Sequence, residues 1–207
     1  MADAAETTRE RLLEAARELF TTTGYHATTT PVLARRAGVA EGTIYRHFPS
    51  KKALLNAAYQ DVQRWGAEAV RRIGGDGTGG VAARMGDLGR FWIQAAEQDA
   101  PRVRMLLAWR LPQELDEGSR QAAGEFRQAL ERLIAVGKQE GSVRAGVADL
   151  WAAVWLTLVT FVVEKVAQRE WGPQHPHAIA ALEAAWEAIA WRPIPVPSAS
   201  PPVDGAG

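Results

Sequence analysis

Residues 43–48, Thr-Ile-Tyr-Arg-His-Phe, combine two apolar side chains with four that can form hydrogen bonds. Ile44 and Phe48 are one helical turn apart, so both can hold one face of a helix against a core. A hydroxyl, a phenol, a guanidinium and an imidazole remain for the outer face, and these groups suit phosphate oxygens and base edges. The pattern favours a helix that reads DNA. An ordinary solvent-exposed amphipathic helix is the alternative.

Basic residues gather around this stretch, although the whole chain of 207 residues has a formal net charge of zero. The cluster consists of Arg35, Arg36, Arg46, Lys51 and Lys52. A basic patch of this kind is the electrostatic footprint of phosphate binding. Because most charge clusters are simply solvated surface, the patch supports the DNA-reading interpretation only together with the helix beside it.

Three helices are predicted over residues 9–49. The first has apolar residues at helical spacing and ends at a glycine. Thr30 as N-cap and Pro31 at the first helical position begin the second helix, and Gly38 ends it. Only a few residues then separate it from the stretch 43–48. A tight glycine turn between two short helices is the layout of a helix-turn-helix, which presents its second helix to the major groove.

The segment TTTPVLARRAGVAEGTIYRHFPSKKALL resembles the DNA-binding signature of the TetR family of bacterial transcriptional repressors, and the likeness covers about residues 9–56. The resemblance implies an all-α homodimer with an N-terminal DNA-binding domain and a larger ligand-binding domain. It assigns contacts with the DNA backbone or bases to Thr29, Thr30, Thr43, Tyr45, His47 and Lys51. Glu41, Gly42 and Arg46 match variable positions where base preference is often set. Pro31 departs from the polar residue often found there, which leaves direct readout to the third helix.

Helical periodicity continues beyond this segment, so the predicted fold class is all-α. The predicted domains are a helix-turn-helix DNA-binding domain over 1–50 and a helical ligand-binding and dimerisation domain over 51–192. Ser50 is expected to cap the fourth helix. The glycine-rich run 74–80 lacks the Lys-Ser or Lys-Thr of a phosphate-binding loop and predicts a flexible connection. A proline-rich, disordered tail is predicted over 193–207.

The sequence lacks the residues that several classes of catalytic and metal site require. Without cysteine, neither a disulfide framework nor a thiolate metal site is available. No hydrolase or metalloprotease motif occurs, and His175 and His177 are too isolated for a convincing metal site. We therefore expect no enzymatic activity, no cofactor and no metal. A small-molecule enzyme of a new kind is the alternative from a different class.

The chain is expected to be a cytoplasmic, nucleoid-associated bacterial protein with no membrane partner. Its N-terminal residues include acidic side chains and no uninterrupted apolar run, which excludes a secretory signal peptide. The longest apolar run, 150–163, falls short of the ~20 residues that a bilayer-spanning helix needs.

Eight tryptophans stand out in the composition. Packing in the core is their ordinary explanation, and a dimer interface is a second one. A third is an aromatic-lined cavity for an apolar or planar ligand. The family resemblance locates such cavities among the fourth to eighth helices, which favours Trp65, Trp92, Met105, Trp109, Phe126 and Trp155. Of these, Trp155 could face either the pocket or a partner subunit.

The last two predicted helices, 149–168 and 177–191, carry more apolar surface than one neighbouring helix pair can cover. Two such helices from each subunit would pack as a four-helix bundle about a two-fold axis. Candidate interface residues are Trp151, Leu158, Val162, Leu182, Trp186 and Ile189. The alternative is that both are central helices of a monomer.

Together these features predict a ligand-responsive repressor. It binds a palindromic double-stranded DNA operator as a homodimer and is released by a small apolar or aromatic effector. A regulator without a small-molecule ligand, or an activator, is the alternative within DNA binding. Release is expected to pass along the fourth helix, from Lys51 to a ligand near Trp65, with Gly66 as a place where the helix softens.

Overall fold

The computed structural model describes residues 2–75, 79–108 and 113–192, with side chains from Thr7 onward. Within these ranges the chain forms nine α-helices and no strand, which confirms the all-α prediction. The helices are α1 Ala2–Thr22, α2 Thr30–Ala37, α3 Glu41–His47, α4 Lys51–Gly75, α5 Val81–Gln98, α6 Ala100–Leu107, α7 Glu117–Gln139, α8 Ala148–Ala167 and α9 Pro176–Glu187. The predicted tail 193–207, residues 76–78 of the glycine-rich run and Trp109 lie outside the described residues.

The helix-turn-helix begins one residue earlier than predicted. Thr29 is the N-cap of α2, Thr30 is its first helical residue, and Pro31 lies in its first turn. Gly38 ends α2 in the left-handed conformation, at φ 65°, which costs glycine little because it has no Cβ. Helix α3 then begins at Glu41. Helices α2 and α3 are therefore joined by the tight turn that the sequence predicts.

Helix α4 runs from the helix-turn-helix into the larger helical part without a break over 25 residues. Its N-terminus is capped as predicted, because the Ser50 hydroxyl accepts a hydrogen bond from the Ala53 N–H at 3.0 Å. The helix is continuous through Gly66, and the softening expected there stays a prediction. A Cβ at Gly66 would lie 2.4 Å from a methyl carbon of Leu106, so this glycine allows α6 to approach α4 closely.

A buried polar cluster fastens α4 to the start of α7. The Asn56 side chain donates to the carbonyl oxygens of Lys52 and Glu114, at 2.8 and 3.1 Å. Its own oxygen accepts from the Asp116 N–H and from the Ser119 hydroxyl, each at 2.7 Å. With both ends of the buried amide satisfied, the cluster holds the two helices in one register.

The N-terminal helices also share a surface with the larger part, because α1 packs against both α4 and α6. Two ion pairs lie there: Arg17 is 3.4 Å from Asp61, and Arg102 is 3.8 Å from the same carboxylate. The domain boundary between residues 50 and 51 stays a prediction.

Helix α8 is 20 residues long. An apolar window within it has a mean hydropathy of 1.7, and 33% of that window is buried inside the subunit. By length and composition it could cross a membrane, although its uninterrupted apolar run, 150–163, is shorter than the helix itself. The core helices of soluble proteins pass the same test. Helix α9 packs against α8 and α5. Leu150 and Phe161 on α8 nevertheless remain about half exposed.

Candidate functional site

Helix α3 presents its polar side chains at the outer surface of the helix-turn-helix. Ile44 is fully buried and Phe48 nearly so, which confirms the two predicted anchors. Tyr45 keeps 52% of its surface exposed, and Arg46 is exposed beside it. The other predicted contacts of this helix are all at least partly exposed: Glu41, Gly42, Thr43 and His47. Every candidate on α3 is therefore accessible to a DNA groove.

Two hydrogen bonds order this polar surface. Arg46 donates to the Thr43 hydroxyl at 3.3 Å, along one turn of α3. The Thr30 hydroxyl donates to the Glu41 carboxylate at 2.9 Å and joins the first turns of α2 and α3. Thr29 is exposed and forms no side-chain capping bond. Its hydroxyl therefore stands free beside a helix N-terminus, where backbone N–H groups favour phosphate.

Lys51 is engaged inside the protein and does not simply project into solvent. Its ammonium donates to the carbonyl oxygens of Tyr25 and Thr28, each at 2.8 Å, and lies 4.2 Å from the centre of the Tyr25 ring. Two of its three N–H donors are thus used in holding the loop between α1 and α2. One N–H donor of Lys51 therefore remains for the predicted contact with phosphate.

Part of the basic cluster is also paired. Arg36 forms an ion pair with Glu18. The hydrogen bond between these two side chains raises the pKa of Arg36. Arg11, which sequence reasoning missed, donates to the Gly38 carbonyl at 2.7 Å and fastens the turn of the motif to α1. The two residues are 27 positions apart, so no local pattern links them. Exposed basic side chains nearby include Arg35 and Lys52.

Two adjoining cavities lie between α4, α6, α7 and α8. The first has a volume of about 150 Å³, and its described lining is Tyr59, Gln63, Leu106, Leu107, Ala108, Ala123, Phe126, Arg127, Leu156 and Thr160. The second, of about 710 Å³, extends to Phe20, Thr21 and Thr22 at the end of α1 and to Tyr25 in the loop that follows. Tyr59 lines both, and it is 3% exposed. This apolar space with a few polar groups resembles a small-molecule site.

The comparisons with known proteins bear on this arrangement. A family model described as "Bacterial regulatory proteins, tetR family" matches residues 12–58. The nucleoid occlusion factor SlmA of Marinobacter nauticus is 30% identical over 138 residues, which span 67% of this chain and 70% of SlmA. The chain belongs to the TetR family.

Other matches agree with this assignment. The transcriptional regulator UidR of Escherichia coli K12 is 41% identical over 61 residues, which are 29% of this chain and 31% of UidR. The chain thus spans about a third of the length of UidR. A TetR-family regulator from Shewanella sp. PV-4 superposes with a TM-score of 0.72 at 24% identity, over 89% of this chain and 99% of that one. The SmeT–triclosan complex superposes with a TM-score of 0.66 at 21% identity, over 94% and 97%.

This TetR-family chain places only some of the predicted pocket residues at the cavities. Phe126 lines the first cavity and Met105 the second. Trp92 and Trp155 lie in the core with ring centres 5.7 Å apart, and neither is among the lining residues. Trp65 lies on another face of α4, against Arg102 and Phe91. The proposed ligand contacts of these three tryptophans are therefore wrong for the cavities seen.

Sequence reasoning missed the polar groups of the cavities, namely Tyr59, Gln63, Arg104, Arg127 and Thr160. The spacing of Tyr59 and Gln63, one turn apart on α4, was the available signal. Burial raises the pKa of Tyr59 to about 12, and the positive charge of Arg127 opposes that shift. The phenol is consequently a neutral hydrogen-bond donor at any physiological pH.

The predicted interface residues divide into two groups. Trp151, Leu158 and Trp186 are half-buried, so part of each remains for a partner. Val162 and Ile189 are fully buried within the subunit, so their side chains cannot reach a partner, and both assignments are wrong. Leu182 is half-buried and turned towards α5: its methyl carbon lies 2.9 Å from where a Cβ at Gly89 would be.

His175 and His177 lie side by side, with ring centres 4.9 Å apart, at the start of α9. The His175 ring accepts a hydrogen bond from the His177 N–H at 3.2 Å, which is the role of an N-cap. Within residues 2–75, 79–108 and 113–192, no group of three or more His, Asp or Glu side chains could hold a metal ion.

Proposed function

We propose that this TetR-family transcriptional regulator is a repressor that binds a palindromic DNA operator as a homodimer and leaves it when a small apolar or aromatic molecule binds. Residues 1–50 would form the DNA-binding domain and 51–192 the domain for ligand binding and dimerisation. The protein would act in the bacterial cytoplasm, at the nucleoid. The observation that carries the proposal is α3, which is anchored by Ile44 and Phe48 and leaves its other side chains at least partly exposed.

DNA contact is supported by the chemistry of the exposed groups. Arg46 can form the bidentate hydrogen bonds that distinguish guanine in the major groove. Tyr45, Thr43, His47 and Thr29 supply donors suited to phosphate oxygens, and such contacts fix the register of a protein on the duplex.

Dimerisation is supported by α8. Leu150 and Phe161 are 48% and 50% exposed, and they lie on one face because eleven residues are close to three helical turns. Half-buried Val154 and Leu158 adjoin them on the same helix. A contiguous apolar face of this kind is typical of a homodimer interface. Ile179, on α9, is also 44% exposed.

Release by a ligand is supported by the position of the cavities along α4. The helix begins at Lys51, which holds the loop before α2, and carries Tyr59 and Gln63 at the cavity wall. Two recognition helices must lie about 34–36 Å apart to enter successive major grooves. A ligand that binds better to a different spacing therefore lowers DNA affinity. SmeT, a fold neighbour, was solved in complex with triclosan, which is an apolar aromatic molecule.

Selection of bound duplexes from a random DNA pool tests the proposal directly. We expect enrichment of an inverted repeat, with half-sites about one helical turn apart. The selected duplex is then used in mobility-shift titrations of the wild type at several salt concentrations. Failure to enrich any sequence would contradict the function, and enrichment of a single half-site would contradict the dimer.

The selected operator also distinguishes the proposal from three alternatives. A regulator without an effector would keep its operator affinity in the presence of every cavity-binding molecule. An activator would bind the operator and raise transcription from a reporter promoter in vitro, whereas a repressor lowers it. A small-molecule enzyme would convert its substrate and bind no selected DNA.

A further inference from the structure

We propose that the first cavity recognises a small aromatic carboxylate, with its ring in the apolar interior and its carboxylate between Tyr59 and Arg127. The assignment rests on the proposed ligand-responsive function and narrows the effector from any apolar molecule to an organic anion.

The Gln63 and Thr160 side chains of this cavity already donate to the carbonyl oxygens of Leu106 and Leu156, at 3.3 and 2.7 Å. The donors of Tyr59 and Arg127 have no such partner among the described residues. Tyr59 is buried, with 3% of its surface exposed. Its hydroxyl forms no hydrogen bond with any described residue. Arg127 lines the same cavity from α7 and makes no ion pair with a described carboxylate. A guanidinium and a phenol that line the same cavity can together hold a carboxylate, since charge-assisted hydrogen bonds are the strong ones.

Charge distinguishes this cavity from its neighbour. The second cavity contains Arg104, but that guanidinium is already neutralised by Glu164 at 3.0 Å. The described lining of the first cavity includes Arg127 and no carboxylate. An anion is therefore favoured in the first cavity and has no free positive charge in the second.

Size and apolar lining set the rest of the ligand. A cavity of about 150 Å³ is the size that holds a benzene molecule when leucine, isoleucine and phenylalanine line it. Here Leu106, Leu107, Phe126 and Leu156 supply the comparable apolar surface. A single ring with a short acidic arm fits both the volume and the position of Arg127 at the exposed rim.

Calorimetric titration with three probes of one shape tests the assignment: phenylacetate, 2-phenylethanol and 2-phenylethylammonium. We expect phenylacetate to bind at least about tenfold more tightly than the alcohol, since hydrogen bonds to charged groups are worth that factor or more. The ammonium should bind most weakly, because its charge repels Arg127.

Two variants test whether Arg127 and Tyr59 bind the carboxylate, and a third is the control. Arg127→Gln should abolish the preference for phenylacetate over the alcohol, and Tyr59→Phe should weaken phenylacetate by about two- to tenfold. Arg132→Gln removes an exposed arginine from the same helix and should change nothing. Equal binding of all three probes, binding of none, or an unchanged preference in Arg127→Gln would overturn the assignment.

Mobility-shift titrations on the same preparations keep this inference separate from the proposed function. Wild-type protein that binds the selected operator but shows no anion preference would contradict the carboxylate site alone. Loss of operator binding in the wild type would contradict the proposed function itself.

Discussion

The Lys51 ammonium lies 2.8 Å from the carbonyl oxygen of Tyr25 and 4.2 Å from the centre of the Tyr25 ring. The first residue of α4 therefore holds the loop that leads into the helix-turn-helix. Any movement of α4 is passed to that loop through this contact, in addition to the direct chain connection between α3 and α4. Lys51 is thus a structural link between the cavity-bearing helix and the helix-turn-helix.

Replacement of Lys51 by alanine should weaken binding to all DNA sequences alike. The change removes two charge-assisted hydrogen bonds, worth about 1.5–3 kcal/mol each, and so loosens the loop before α2. It also removes a positive charge, so the slope of log affinity against log salt should fall by about one unit. Lys52→Ala, at an exposed neighbouring position, is the control for charge alone. Equal loss of unfolding free energy in urea for the two variants would contradict the structural role.

Arg46→Ala should reduce discrimination between DNA sequences. A good bidentate contact to a base is worth about 1–3 kcal/mol of discrimination, and Arg46 is exposed on α3. Arg46→Lys is the matched control, since lysine keeps the charge and loses the planar fork. We expect both variants to broaden the selected sequences, with the salt dependence reduced in the alanine variant only. An unchanged sequence preference would show that Arg46 faces solvent in the complex.

Phe161→Glu should dissociate the homodimer. The substitution places a charge in the apolar face of α8, where desolvation in an interface is costly. Sedimentation of the variant at micromolar concentration should show a species of 22.5 kDa, the mass of one chain, while the wild type sediments at twice that mass. Gln128→Glu, which adds the same charge on the exposed side of α7, should leave the dimer intact. A monomeric wild type would refute the interface outright.

Asp116 gives the fold a stability that depends on pH. Its side chain caps α7 by accepting the Ser119 N–H at 2.8 Å, and this backbone hydrogen bond lowers the pKa of Asp116. The pKa of Asp116 in the folded state is lower than that of an ordinary aspartate. The capping carboxylate therefore stabilises the fold fully above the ordinary pKa, and this stabilisation is lost as the pH falls through the lowered folded-state pKa.

Asp116→Ala should therefore reduce the unfolding free energy by about 0.5–2 kcal/mol at pH 7, the usual cost of losing an N-cap. The difference from the wild type should shrink at pH 3, as measured by urea unfolding followed by circular dichroism. Asp116→Asn keeps a capping oxygen and should lose less at pH 7. A difference that is the same at both pH values would exclude the titrating carboxylate as its source.

The helix-turn-helix was predictable because its signals are local. The spacing of Ile44 and Phe48, the glycine after α2 and the Ser50 cap each act within one or two helical turns. The cavity was not predictable in this way. Trp65 and Gln63 are two residues apart on α4, so they point about 200° apart around the helix, and only the packing of α6 and α7 decides which of them faces the cavity.

Long-range partners account for the remaining errors. Lys51 bonds to residues 26 and 23 positions earlier, and the sequence carries no mark of that pairing. The amphipathic pattern of α8 predicts a broad apolar surface, but Val162 lies on the part that its own subunit covers. Periodicity reports how much of a helix is apolar. It does not report which neighbour covers each side.

Gly66 of α4 packs against two side chains that line the first cavity, and Gly66→Ala should damage both packing and ligand binding. The added Cβ would meet Leu106 at 2.4 Å and Phe126 at 3.2 Å, and both of these residues line the cavity. Since the new methyl must push them aside, we expect a loss of about 1–3 kcal/mol in unfolding free energy, as for other overpacked cores. Displacement of Leu106 into the cavity should also weaken the binding of phenylacetate.

Gly124→Ala is the matched control in mid-α7, where an added Cβ would meet nothing within 4 Å. There, alanine should stabilise the helix by up to ~1 kcal/mol and leave the affinity for phenylacetate unchanged. Chemical unfolding and calorimetric titration of both variants measure the two effects. If Gly66→Ala were as stable as Gly124→Ala, the close approach of α6 to α4 at this position would be refuted.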